Sequence, residues 1–250
     1  MLEHFKGDEV FVKKILDYQN QALDHQRMIL TPFFNPHEQE IVYKVIGTHE
    51  LQIRCSGGLE NAENQRMIIC PFFYDIEKED FEIVVVKVIY NQQFGRLAHK
   101  DVLGALMNLG IKRDCIGDIY DSEDIYFACT KQTFPYIQTH LTKIKKAKVQ
   151  LKQVHDHIQI IRQYTTKVFF LSSLRLDKVV SSMFKVSRQN ASEAIRSGFV
   201  KVNHKEVEDV SFLCHNNDMI SFKKHGRVQI VDEEKRSKQG NLVVKGYFYK

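Results

Sequence analysis

Two short runs in the C-terminal third set cations at helical spacing. Arg175 and Lys178 stand in Ser173-Leu-Arg-Leu-Asp-Lys-Val-Val, and Arg188 and Arg196 in Ser187-Arg-Gln-Asn-Ala-Ser-Glu-Ala-Ile-Arg-Ser-Gly198, with Lys201 and Lys205 close behind. Such groups on one surface bind phosphates, because arginine forks two hydrogen bonds onto one phosphate and lysine adds a compact charge. Other chemistry is sparse. His99, Asp101 and Asp118 could form an acid-base cluster, yet no nucleophile or metal set accompanies them. Helix-end hydrogen bonding, with an RNA or tRNA contact through Lys100, Lys112 and Arg113, is the better reading. His155-Asp-His157 supplies two metal ligands without a third. Gly57-Gly58 has neither the spacing nor the following helix of a cofactor-binding turn. No cofactor and no metal is expected.

The elements that position the cations follow from apolar spacing. Leu176, Val179, Val180, Met183 and Phe184 recur at i, i+3, i+4, i+7 and i+8, one buried stripe of an amphipathic helix that Ser173 can cap. Arg175, Lys178 and Ser182 fall on another face, toward solvent or a partner. A second helix opens at Ser187, buries Ala191, Ala194 and Ile195, and ends at Gly198, where a left-handed residue is expected. Arg188, Ser192 and Arg196 line its polar side. Val200 and Val202 alternate with Lys201 into a strand that turns at Asn203-His204. Asp177, near a helix start, is read as structural, its charge favoured by the helix dipole.

Charge is graded along the chain. Residues 1–80 hold 8 Lys/Arg against 14 Asp/Glu, residues 81–150 hold 10 against 7, and residues 151–250 hold 18 against 10. A polyanion is therefore expected at the C-terminal end. The N-terminus does not read as a signal peptide, and no apolar run nears the roughly 20 residues of a membrane span, so a cytoplasmic protein without a membrane partner is expected. The five cysteines include no CxxC pair and read as reduced, mostly buried thiols.

Upstream, a helix is predicted from Asp8 to about Leu30, then a turn-rich Thr31-Pro-Phe-Phe-Asn-Pro-His-Glu, a helix from Gln39 to Ile46, and short strands at Ile53 and Met67 to Cys70. Phe33, Phe34, Phe72 and Phe73 are assigned to the core of this small acidic domain. The middle reads more clearly: strand 81–90, helix 100–109, a hairpin over Ile119 and 125–129, helix 133–145 and strand 149–154. That β-α-β-β-α-β order is the ferredoxin-like plan.

The run from Ser173 to about residue 230, with its Arg-Leu-Asp opening, Ser-Arg helix start, Val-Lys-Val-Asn strand and Asp218 strand followed by Gly226-Arg227, resembles the RNA-binding domain of small-subunit ribosomal protein S-four, the alpha-L motif. It departs at His204, where that family usually has glycine. With the middle motif of a His99/Asp101 helix, Leu109-Gly-Ile-Lys-Arg113 and Gly117-Asp-Ile119, and with Gly57-Gly-Leu-Glu-Asn-Ala-Glu63, nearly the whole chain resembles the YlmH-like family of bacterial RNA-binding proteins. Glu63-Asn64 stands where that family has Glu-Arg, and Arg66 is the candidate replacement.

The resemblance implies an α+β chain in four parts: a small N-terminal α/β domain (1–75), a ferredoxin-like βαββαβ middle domain (76–155), a linker (156–172) and an S-four-type RNA-binding domain (173–250). It implies a non-catalytic protein that binds the large ribosomal subunit, contacts ribosomal RNA and tRNA, and assists subunits obstructed by peptidyl-tRNA, while being a monomer off the ribosome. The expected RNA contacts are Arg175, Lys178, Ser187, Arg188, Arg196, Lys201, Asn203, Lys205, His99, Lys100, Lys112 and Arg113. The alternative is an RNA-modifying enzyme of pseudouridine synthase or methyltransferase type. Against it, Gly95-Arg-Leu-Ala98 lacks the aspartate that such a synthase carries after Gly-Arg-Leu.

Overall fold

The computed structural model describes residues 5, 7–47, 49–155 and 157–249. The chain is α+β and forms two compact units, one running to Ile160 and the other from Ile161.

The first unit begins with α1 (Glu9–Asp24), β1 (Ile29–Phe34), α2 (Pro36–Ile46), β2 (Leu51–Ser56) and β3 (Gln65–Pro71). The strands form an antiparallel sheet in the order β1-β3-β2. Central β3 is buried almost throughout, as a strand paired on both edges and packed between layers must be. α1 contributes Val12 and Ile15 to the core and α2 contributes Ile41, Val42 and Val45. The first helix stops six residues short of the predicted end, and the stretch read as a turn is the edge strand β1. Pairing with β3 outweighs local helix preference there. Pro32 is tolerated because β1 is an edge strand with a register shift between Leu30 and Phe33. α2 starts earlier than predicted, at Pro36, because Asn35 and Glu38 cap it reciprocally: each side chain accepts the other's backbone N–H, at 3.1 and 2.8 Å. Phe33 and Phe34 are buried as expected, but Phe72 and Phe73 lie on the turn after β3 and are 59% and 66% exposed.

The unit continues with β4 (Ile83–Tyr90), α3 (His99–Asn108), β5 (Ile116–Asp121), β6 (Ile125–Thr130), α4 (Phe134–His140), β7 (Lys143–Ile144) and β8 (Ala147–Val154). Its antiparallel sheet runs β5-β6-β4-β8-β7, so the four main strands take the ferredoxin-like order with β4 and β6 central. The second helix ends at His140 rather than Lys145. Lys143 and Ile144 instead pair with Lys148 and Ala147, in a hairpin whose turn puts Lys145 at φ 51°.

The two sheets of this unit meet closely. A Cβ on Gly117 would sit 2.8 Å from a Phe33 ring carbon and 3.0 Å from the Ala128 Cβ, so only glycine fits where β5 passes β1. Arg66 is buried, donating from Nε to the Thr31 carbonyl and from Nη1 to the carbonyls of Phe81 and Glu82.

The second unit comprises β9 (Tyr164–Leu171), α5 (Leu176–Phe184), α6 (Arg188–Arg196), β10 (Val200–Val202), β11 (Lys205–Glu206), β12 (Met219–Phe222), β13 (Gly226–Arg236) and β14 (Leu242–Tyr249). Its six strands form one antiparallel sheet in the order β11-β10-β12-β13-β14-β9. The stretch 156–172, expected as a linker, therefore carries a strand: β9 pairs with β14 residue for residue, from Tyr164 with Tyr249 to Leu171 with Leu242. Its partner lies some eighty positions downstream, beyond any local pattern. The predicted stripe Leu176, Val179, Val180 and Met183 is buried against Ala191, Ile195, Ile220, Val228 and Val244.

Candidate RNA interface

The start of α5 is fixed by tertiary contacts. Ser173 does not cap it; Arg175 holds the N-cap position without a side-chain cap. The first helical amides donate instead to the loop before β12, Leu176 to the Phe212 carbonyl at 2.8 Å and Asp177 to the Val210 carbonyl at 3.3 Å. α6 follows the prediction. The Ser187 Oγ accepts the Asn190 N–H at 3.1 Å. At the other end Gly198, at φ 68°, completes a Schellman turn in which its own N–H donates to the Ile195 carbonyl and that of Phe199 to the Ala194 carbonyl, both at 3.0 Å.

These ends bring Arg175 and Arg188 onto one carboxylate. Arg175 donates from Nε to Asp177 Oδ1 at 3.1 Å and from Nη2 to Oδ2 at 3.4 Å. Arg188 donates from Nε and Nη2 to Oδ2 at 2.9 and 2.8 Å. The Asp177 side chain is 4% exposed, whereas those of Arg175 and Arg188 are 41% and 60% exposed. Burial by itself would raise the Asp177 carboxyl, but the hydrogen bonds and charges of both arginines outweigh it and hold the group below its ordinary value. One buried anion thus fixes two guanidinium groups at the surface. Each commits two of its five N–H donors to the clamp, leaving three for a ligand, and the cluster keeps a net positive charge. The dipole reading of Asp177 missed this. Arg-x-Asp spacing hints at the first contact, but the second crosses from α5 to α6 and has no local signal.

The other expected contacts in this unit divide. Lys178 donates to the Ser172 Oγ at 2.7 Å, Arg196 is exposed on α6, and Lys201 pairs with Glu206 at 3.1 Å. Lys205 opens β11 beside the turn. Asn203 and His204 both adopt left-handed φ, 49° and 69°, so histidine takes the conformation for which the family's glycine is suited. The Asn203 side chain ties this turn to β12, donating to Asp218 Oδ1 at 2.7 Å and accepting the Met219 N–H at 2.8 Å. Ser187 and Asn203 thus brace the frame, while Arg175, Lys178, Arg188, Arg196 and Lys201 carry its surface charge.

In the first unit His99 opens α3, its backbone N–H donating to Asp121 Oδ2 at 2.7 Å, and Lys100 is exposed beside it. Lys112 is exposed, and Arg113 folds back to donate to the Ile116 and Gly117 carbonyls. The two aspartates of the possible acid-base cluster serve different contacts. Asp101 accepts the Ala98 N–H at 3.0 Å and Lys145 Nζ at 2.7 Å. Asp118 accepts the backbone N–H groups of Glu63 and Asn64, at 2.6 and 3.0 Å, and so pins the loop that departs from the family pattern. Arg66 cannot replace the missing arginine, because its guanidinium is buried on backbone carbonyls.

Among the described residues no three His, Cys, Asp or Glu side chains are grouped to hold a metal ion, and no helix is long and apolar enough to cross a membrane. Of the paired histidines, His157 sits 3.3 Å from Glu60; Asp156 lies outside the described residues. Burial pushes the thiols of Cys129 and Cys214 up to about 12, which keeps them protonated and unreactive.

Three family descriptions match in succession: "YlmH, N-terminal" over residues 7–72, "Putative RNA-binding domain in YlmH" over 77–159 and "S4 domain" over 174–220. The chain is 34% identical over 241 residues to the ribosome-associated protein quality control protein P2 of Bacillus subtilis (strain 168), an alignment covering 95% of this chain and 94% of that one. Among solved structures it is similar to the cell division protein ylmH from Streptococcus pneumoniae, with a TM-score of 0.52 and 31% identity, over 59% of this chain and 90% of the other.

Proposed function

Since the chain belongs to the YlmH family of RNA-binding proteins, we propose that it is a non-catalytic factor that binds the large ribosomal subunit, contacts ribosomal RNA and tRNA there, and acts in the rescue or quality control of subunits obstructed by peptidyl-tRNA. The observation that carries this reading is the Asp177 clamp, which lies inside the S4 match and presents two arginines already ordered for phosphate. The ribosomal setting, and with it a cytoplasmic location, is supported by the name of the Bacillus relative.

A duplex RNA offers phosphates and 2′-hydroxyls across a shallow groove, so recognition falls to rigidly placed donors rather than to base reading. Arg175 and Arg188 meet phosphates from the clamp, with Lys178, Arg196, Lys201 and Lys205 extending the charged surface. Ser187 and Asn203 hold the helix start and the turn that aim it. His99, Lys100, Lys112 and Arg113 supply a second contact from the middle domain, for which tRNA is the proposed ligand. Once one contact forms the other becomes intramolecular, so two weak sites give firm attachment. The acidic N-terminal part repels RNA and suits a protein or tRNA-end contact.

Sedimentation tests this. The protein should travel with large subunits, most of all those retaining tRNA, and be released by high salt. Lys178→Glu with Arg196→Glu leaves the clamp intact and should abolish co-migration without lowering Tm. A wild-type protein confined to the free fractions would reject the ribosomal reading. Loss of a specific modified nucleoside from ribosomal RNA on deleting the gene would reject the non-catalytic one.

A further inference from the structure

We propose that the outward face of the six-stranded sheet in the second unit is a further RNA site, which takes unpaired nucleotides by stacking their bases on tyrosine rings. The proposal deepens the RNA-binding reading above and rests on it.

Cross-strand partners point to the same side of a sheet. The register therefore lines up one row across the face: Lys201 opposite Ser221, Ser221 opposite Arg227, Arg227 opposite Tyr249, and Tyr249 opposite Tyr164. Beside it, Gln229 stands opposite Tyr247, and Lys245 opposite Val168. The other side of the same strands, with Val228, Ile230 and Val244, is buried in the core with α5 and α6. The row thus leads from Lys201 on β10 to the aromatic cluster of Tyr164, Tyr247 and Tyr249, three rings that lie outside the S4 match.

The cluster is built and open. Tyr164 meets Tyr247 edge to face with centroids 5.1 Å apart, the Arg227 guanidinium lies 5.8 Å from the Tyr249 centroid, and the Tyr249 hydroxyl donates to Gln229 Oε1 at 3.0 Å. Tyr164 is 54% exposed, Val168 51% and Phe170 62%. Tyr164 and Phe170 are exposed on this side, with Tyr247 and Tyr249 half-buried beside Tyr164, and rings gathered in this way mark a binding surface rather than stray apolar residues.

The chemistry of the face selects the occupant. Two acids on these strands are neutralised by cations of the face, Glu206 by Lys201 at 3.1 Å and Glu233 by Lys245 at 2.9 Å. Arg227 adds positive charge, in the part of the chain that holds 18 Lys/Arg against 10 Asp/Glu. Aromatic rings interleaved with cations on an open sheet suit a polyanion whose bases are unstacked, because every base has a π face and each phosphate needs a cation. A duplex hides those base faces. The site therefore complements the clamp, which needs only backbone phosphates.

The experiment uses the full chain, a labelled ten-nucleotide oligouridine and, in parallel, a labelled RNA hairpin. The sequence has 10 Tyr and no Trp, so no tryptophan masks a change in tyrosine emission. Oligouridine should quench that emission, and Tyr164→Thr with Tyr249→Thr should weaken its binding about tenfold or more. The corresponding Phe pair should bind as wild type, and the hairpin should bind all three proteins alike. Threonine suits an exposed strand; should the threonine pair still melt early, Arg227→Gln must weaken oligouridine binding instead. Unchanged oligouridine affinity in the folded threonine pair, or no binding by a wild-type protein that holds the hairpin, overturns the proposal. A concentration-dependent dimer abolished by the threonine pair overturns it too, since the face would then join two copies. Loss of hairpin binding by the wild type would instead overturn the RNA-binding reading beneath it.

Discussion

Asp177→Asn sets two physical readings of the RNA interface against each other. The substitution removes a buried negative charge, so if long-range charge alone governed affinity, the variant would bind RNA more tightly. The clamp predicts the opposite. Asparagine can accept from one guanidinium, but its amide N–H faces the other donor group, and both arginines lose their charged acceptor. Hydrogen bonds to charged groups contribute about 1.5 to 3 kcal/mol each, and the half-exposed arginines recover part of this in water. A net loss of about 2 kcal/mol is expected, which for a unit of this size lowers Tm by roughly 8 to 16 °C. Affinity should also fall, because two side chains must then be ordered on binding at about 0.5 to 1.5 kcal/mol each, which is roughly 5-fold to 150-fold. The assay is anisotropy of a labelled RNA hairpin at fixed salt, at a temperature where circular dichroism shows both proteins folded. Equal or tighter binding with unchanged Tm would refute the clamp as the basis of recognition.

Acid should reveal the same carboxylate. Its folded pKa lies below the unfolded value, so its contribution is complete above about pH 4 and disappears as pH falls through the lower folded value; wild type and Asp177→Asn should therefore converge in Tm below that window, and a constant gap down to pH 2 would contradict it. Gly198→Val forces a β-branched residue to φ 68° and should cost about 1 to 3 kcal/mol by urea titration, whereas wild-type stability would mean that α6 ends otherwise. Arg66→Met strands the carbonyls of Thr31, Phe81 and Glu82 and should destabilise the first unit by about 3 kcal/mol or more without changing hairpin affinity; a loss of affinity in a folded variant would give Arg66 an RNA role after all.

Much of this protein is written locally. The stripe from Leu176 to Met183, the Ser187 cap, Gly198 and the β-branched run of β4 each declare their element, because helix and strand periodicities and left-handed turns are properties of a few neighbouring residues. Those signals also carried the family resemblance and the list of exposed cations. What they left out are contacts between residues far apart in the chain. β9 looked like a linker because its partner is β14. The helix from Asp8 ends at Asp24, short of what its local pattern predicts, because β3 recruits Ile29–Phe34 as an edge strand. α5 takes its cap from the carbonyls of Val210 and Phe212 rather than from Ser173. Asp177 looked like a dipole partner until folding brought Arg188 to it, and Arg66 looked available until folding buried it. Sequence determined which residues carry charge and which elements they ride on; only the tertiary structure decided which charges are held, which are buried, and which rings share the open face of the sheet, since register and helix packing are set by the whole core at once.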